Sequence, residues 1–134
     1  MLKIKGFTFP EVIVTIAIVG ILAMAAVPVY KGYVRKSIST EGKALLAEIS
    51  AAEQIYYARN GNFFATSSNV NTNKQILGVD ATKNKYFTSY TVTLRSQAGE
   101  RAFTASTTYN GKQIKLDGSV SGENKITDEF SSGN

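Results

Sequence analysis

The chain opens with one long apolar run and then changes character. From Val12 to Tyr30 no charge occurs in 19 positions, yet Glu11 stands at the mouth of the run. Past Tyr30 the apolar residues thin to a stripe. Ile38, Leu45, Ile49, Ala52 and Tyr56 follow at spacings of 7, 4, 3 and 4, the repeat of one helical face. Lys36, Lys43, Ser50 and Gln54 fall on the opposite, polar side of that wheel. Asn60-Gly61 after Arg59 is a C-terminal stop signal, so the pattern predicts one helix of about 50 residues ending there.

The period then changes from helix to strand. Residues 62–85 are polar, with only the short patch Ile76-Leu77-Gly78-Val79, and predict a loop holding one turn of helix. Tyr90, Val92 and Leu94 alternate with threonines, and Phe103, Ala105 and Thr107 alternate with Thr104 and Ser106. Gln97-Ala98-Gly99-Glu100 joins these two strands as a hairpin. Asn110-Gly111 is a strong type I′ turn into a third strand carrying Ile114 and Leu116. Val120 is a candidate for a fourth strand. The tail from Gly122 is polar, with Ile126 and Phe130 as the residues able to pin it.

Together these elements predict an α+β fold. A long N-terminal helix, hydrophobic in its first half and amphipathic in its second, packs on a three- to four-stranded antiparallel sheet. The apolar face of the sheet is expected across the Ile38–Tyr56 stripe, because neither surface is stable alone. The expected division is 1–6, 7–30 and 31–134, with no repeat and no separate linker.

Composition narrows the chemistry. The 134 residues contain no Cys and no His. That removes disulfides, thiolate metal sites, the commonest general base and the commonest metal ligand. The ten acids form no spaced cluster for acid–base work. Asp117, Glu123, Asp128 and Glu129 lack an interpretable calcium-ligand spacing and are expected to be solvated acids of a turn-rich tail. No catalytic residue, metal or cofactor is therefore expected. The net charge of +5 includes Lys3 and Lys5 ahead of the run, and the dispersed remainder does not by itself argue for nucleic-acid binding.

Phe7–Tyr30 is long enough to cross a bilayer. Lys3 and Lys5 precede it, but Lys31, Arg35 and Lys36 follow, so charge alone does not orient it. A plain membrane anchor fits the run. A removable secretory signal also fits, with Ala23-Met24-Ala25 as its cleavage site. Glu11 opposes the second reading, because a carboxylate at the start of the apolar region resists insertion.

Gly6-Phe7-Thr8-Phe9-Pro10-Glu11, followed by an apolar run of this length, resembles the class III leader of type IV pilins and type II secretion pseudopilins. The resemblance implies a leader, Met1–Gly6, cut between Gly6 and Phe7 by a prepilin peptidase/methyltransferase that N-methylates Phe7. It implies that Glu11, fifth from Phe7, attracts the Phe7 amine of a neighbour and sets axial register. Gly20 and Pro28 match the family's breaker positions, where the helix kinks or unwinds in a filament. Phe9 and Pro10 depart from the family's aliphatic residues, though proline is tolerated in a first helical turn.

The resemblance further implies a subunit that waits in the inner membrane and is polymerised with other pilin subunits by pilus assembly machinery into a cell-surface filament. A type II secretion pseudopilin is the alternative within the family. A competence-type DNA-binding pilin is another, with Lys74, Lys83, Lys85 and Lys112 as candidate contacts to nucleic acid that nothing else in the sequence supports.

Overall fold

The computed structural model describes residues 6–97 and 99–131. Met1–Lys5, most of the expected leader with Lys3 and Lys5, and Ala98 of the expected first turn lie outside the described residues. The chain divides into two units, Met1–Val34 and Arg35–Asn134.

Helix α1, Phe9–Asn60, is continuous over 52 residues and passes through Gly20 and Pro28. Within the first unit its apolar side chains, from Val12 to Val29, are all exposed. That segment is long and apolar enough to cross a membrane. The helix stops as its sequence predicts. Gly61 takes a positive φ of 71° and its N–H reaches the Tyr57 carbonyl at 2.8 Å, satisfying a terminal acceptor.

In the second unit four strands follow: β1 (Thr91–Gln97), β2 (Glu100–Tyr109), β3 (Lys112–Ser119) and β4 (Asn124–Asp128). They form one antiparallel sheet in the order β1-β2-β3-β4. The Asn110-Gly111 turn has positive φ at both residues, 49° and 74°, as a type I′ turn requires. Thr66 covers the outer edge of β1. Its N–H donates to the Val92 carbonyl at 3.1 Å and its hydroxyl accepts the Val92 N–H at 2.8 Å.

The core lies where the helical stripe meets the sheet. Leu45, Leu46 and Ile49 of α1 are buried with Val92, Phe103, Ala105, Ile114 and Leu116 of the strands and with Phe63, Phe87 and Phe130. Two glycines permit close approach. A Cβ on Gly42 would stand 2.5 Å from the Ile114 side chain, and one on Gly118 would stand 2.5 Å from the Phe103 ring. Phe103 is opposite Gly118 in the β2–β3 register, so the ring lies over the space a side chain would need.

The structure corrects four expectations. The fourth strand is Asn124–Asp128, not a strand at Val120. The connector holds α2 (Val70–Leu77), two turns rather than one. Asn69 caps its N-terminus by accepting from Asn71 and Thr72 N–H, and Gly78 ends it with φ 76°. The polar side of α1 is not all solvent-facing. Ser50 is buried and donates to Asn124 Oδ1, Gln54 Nε2 donates to the Ser119 carbonyl, and Lys43 pairs with Asp128 at 2.8 Å. Finally, Asp128 is no solvated tail acid. Its side chain is 4% exposed and accepts from Ser39 and Lys43. Burial pushes that carboxyl up, but hydrogen bonds from Lys43, Ser39, Ser131 and the Phe130 N–H outweigh it and hold the group well below the usual range. With Phe130 buried beside it, this cluster pins the tail that no disulfide can hold.

Candidate functional site

The start of α1 carries the first candidate site. Thr8 caps the helix, with the Val12 N–H donating to its carbonyl at 3.2 Å. Glu11 curls back over the same end. Its Oε2 accepts the Thr8 N–H at 2.6 Å and the Thr8 hydroxyl at 2.7 Å. This is the reciprocal half of a capping box, in which a carboxylate three residues in satisfies the cap's own amide. Pro10 fits because the first-turn N–H it lacks would have had no intrahelical partner. Phe7, just outside the helix, is 86% exposed. Gly6 and Phe7 precede the helix, five and four residues before Glu11 in the chain, while Gly20 and Pro28 are further along the same exposed helix.

The lysines form no single site. Lys74 is taken up by Asp80 at 2.6 Å, and that partner together with Thr82 holds the Asp80 carboxyl at about 2. Lys85 and Lys112 are brought to one neighbourhood by an aromatic chain. Lys85 Nζ is 5.0 Å from the Tyr86 ring, Tyr86 is edge-on to Tyr109 at 5.2 Å, and Tyr109 pairs with Lys112 across the turn. Lys83 ends the short helix Ala81–Lys83 just before Lys85.

The other candidate acids have structural partners too. Asp117 accepts from the Thr104 hydroxyl at 2.6 Å, and Glu129 accepts the Gln113 N–H at 2.7 Å. Among the described residues no three acids come together as metal ligands.

Two acids of α1 escaped the sequence reading. Glu41 gathers the backbone N–H groups of Tyr86 and Phe87 at 2.7 and 3.0 Å and fixes that loop to the helix. Glu53 is fully buried, with Oε2 accepting the Phe64 N–H at 2.8 Å and Oε1 without a hydrogen-bond partner among the described residues. Burial pushes its carboxyl up to about 7 against the opposing pull of that N–H. The available signal was its place on the stripe, four residues after Ile49 and seven after Leu46.

Comparison with known proteins adds the lineage. Residues 1–27 match the prokaryotic N-terminal methylation motif. Residues 28–120 match the family described as type IV minor pilin ComP, DNA uptake sequence receptor. The chain is 33% identical over 122 residues to the fimbrial protein EcpC of Eikenella corrodens, covering 87% of this chain and 75% of that one. It is 38% identical over 76 residues to a fimbrial protein of Neisseria meningitidis serogroup B, covering 55% of this chain and 45% of the relative. A type IV major fimbrial protein FimA of Dichelobacter nodosus is 46% identical over 41 residues, or 31% of this chain and 26% of the relative. No solved structure matches. The chain belongs to the type IV pilin family: it is a pilus subunit carrying an N-terminal methylation motif, in a family that is not normally enzymatic.

Proposed function

We propose that this subunit enters the inner membrane through Phe7–Tyr30, is cut between Gly6 and Phe7, is N-methylated at Phe7 and polymerises through its apolar helix into a surface filament. The observation that carries this reading is a fully exposed apolar helix with a single carboxylate at its mouth. In hydrocarbon that carboxylate requires a partner. Cleavage frees the Phe7 amine, a cation whether or not it is methylated. Glu11 of one subunit and this amine of the next are complementary, so docking them sets the axial register. Gly20 and Pro28 are the places where the helix can yield as subunits pack, since proline removes a main-chain bond. The prepilin peptidase/methyltransferase and the assembly machinery are the partners this pathway requires.

Tandem mass spectrometry of surface-sheared material tests the pathway. A chain beginning at N-methylated Phe7 in the sheared fraction is expected. A start at Ala26 would mark an ordinary signal peptide, and an intact Met1 would mark a plain anchor; either removes this assembly route. Glu11→Ala is expected to leave processing intact while lowering incorporation into filaments.

A second activity is favoured by one observation, the match of residues 28–120 to a family described as a DNA uptake sequence receptor. On that reading the subunit is a minor pilin that also binds DNA. Titration with duplex DNA over a range of salt is the test: affinity falling steeply with salt supports it, and no binding at low salt rejects it.

A further inference from the structure

Residues 61–66 form a strap from the end of α1 to the outer edge of β1. Arg101 donates to the Gly61 carbonyl at its start. The buried Phe63 ring packs 4.7 Å from the Tyr57 ring and 4.9 Å from the Phe103 ring. At the far end Thr66 takes up both main-chain groups of Val92. Between these ties the Phe64 N–H reaches back 11 residues to Glu53 Oε2 at 2.8 Å. Glu53 is fully buried there, and its Oε1 has no hydrogen-bond partner among the described residues.

A carboxyl so placed is tolerated as a neutral acid and costly as an anion, because burial strips its water and one N–H replaces little of it. The strap itself carries no ionisable side chain. From the segment before β1 the titratable group facing it is Tyr90. Burial first, then Glu53, Glu48 and Asp80, push that phenol up to about 12, so it stays neutral. Lys74 of α2 is paired with Asp80, Arg101 of β2 is held at Gly61, and Glu48 and Arg59 of α1 are exposed. Among the described residues no cation pairs with Glu53.

Lifting the strap would hydrate the carboxylate while baring one aromatic ring and few main-chain bonds, whereas unfolding the unit bares the whole core. We propose that Glu53 is a proton-controlled latch: residues 61–66 are shut onto Val92 while the carboxyl is neutral, and lift locally, with the sheet intact, once it ionises. The latch lies within Arg35–Asn134 and is independent of the assembly route. With the strap shut the carboxyl is pushed up to about 7, against 4.5 in water. A proton held more tightly in the shut form favours that form fully below pH 4.5, and the advantage is lost as pH rises through 7. From pH 5 to pH 8 the opening constant therefore rises about 70-fold.

Amide hydrogen exchange of the full chain in an uncharged detergent is the test, followed from pH 5 to 8 and corrected for the intrinsic rate. The Phe64, Thr66 and Val92 amides report on the strap, and Ala105 and Leu116 of the two inner strands report on the whole unit. Strap amides are expected to be less protected than Ala105 and Leu116 at every pH, to respond little to low urea, and to lose about 70-fold in protection between pH 5 and 8. Glu53→Gln should abolish that loss. Since this variant buries an amide in place of the acid, Thr66→Val supplies a second reading. It should lower protection at Phe64 at every pH and keep the same fall, because Glu53 is still present.

Strap protection that stays flat with pH, in the wild type or in Thr66→Val, overturns the latch. Strap amides that share the protection and urea slope of Ala105 and Leu116 overturn it too, because the proton then acts only on global unfolding.

Discussion

Stability of the globular unit should fall as pH rises through neutrality, because of Glu53. Its carboxyl is fully buried, has among the described residues a single N–H partner for two oxygens, and is pushed up from 4.5 to about 7. The folded state therefore holds this proton more tightly than the unfolded state does. Below pH 4.5 both states are protonated and the folded form keeps its full stability. Between 4.5 and 7 unfolding releases the proton, and stability declines with rising pH. The gap corresponds to on the order of 3 kcal/mol at pH 8, a large share of the total for a domain of this size. By the usual scaling the unfolding midpoint drops by roughly 10 °C or more.

The assay is urea or thermal unfolding of the full chain in an uncharged detergent. Near-ultraviolet circular dichroism of the tyrosines reports on it, since the chain has no Trp. Glu53→Gln supplies the control. It keeps an acceptor for the Phe64 N–H but buries an amide without a full set of partners, costing about 1–3 kcal/mol at every pH. Its curve should be flat from pH 5 to 8, below wild type at 5 and level with it or above at 8. A wild-type curve that is flat or rising across that range, or a Glu53→Gln variant with the wild-type slope, would refute the reasoning.

Other perturbations probe different parts of the fold. Asp128→Ala removes the acceptor shared by Lys43 and Ser39 and should cost about 1–3 kcal/mol, with hydrogen exchange rising first in β4. Asp80 and Asp128 are held below their ordinary values, so the stability they contribute is present above pH 4 and lost below it. Acid titration of the folded signal should therefore show a second decline under pH 4 that Asp128→Ala diminishes. Gly118→Ala drives a methyl group into the Phe103 ring and should cost about 1–3 kcal/mol by overpacking, measured as a shift in urea midpoint. Asn69→Ala deletes the α2 cap, and a loss of about 1 kcal/mol is expected in the same assay.

Repeating patterns were easy to read in the sequence. The stripe from Ile38 to Tyr56, the alternation around Phe103 and the Asn110-Gly111 turn all rest on local spacing, and each forms as spaced. What resisted reading depends on register between distant segments. Glu53 and Glu41 look like ordinary helix-surface acids until the chain brings the Phe64 amide, 11 residues on, and the Tyr86 amide, 45 residues on, to their oxygens. Ser50, Gln54 and Lys43 look solvated for the same reason, since only the sheet's position turns their side of α1 inward. Helix α2 lacks an apolar repeat, and its one legible sign was the pair of caps, Asn69 and Gly78. At the N-terminus the motif was readable in full, and the structure adds how Thr8 and Glu11 satisfy each other.

The Thr66 cover on β1 has a consequence for a protein whose work is to polymerise. An open strand edge is a template for another strand, and crowded subunits meet one another at high local concentration. At Val92 both main-chain groups are already occupied by Thr66, and the opposite edge of the sheet, β4, is only five residues long and carries Lys125. Self-association is thereby turned away from sheet extension, whose cross-β product is extremely stable, and on the proposed assembly route is left to the apolar helix. Loosening Thr66 would open a competing and far less reversible way for these subunits to join.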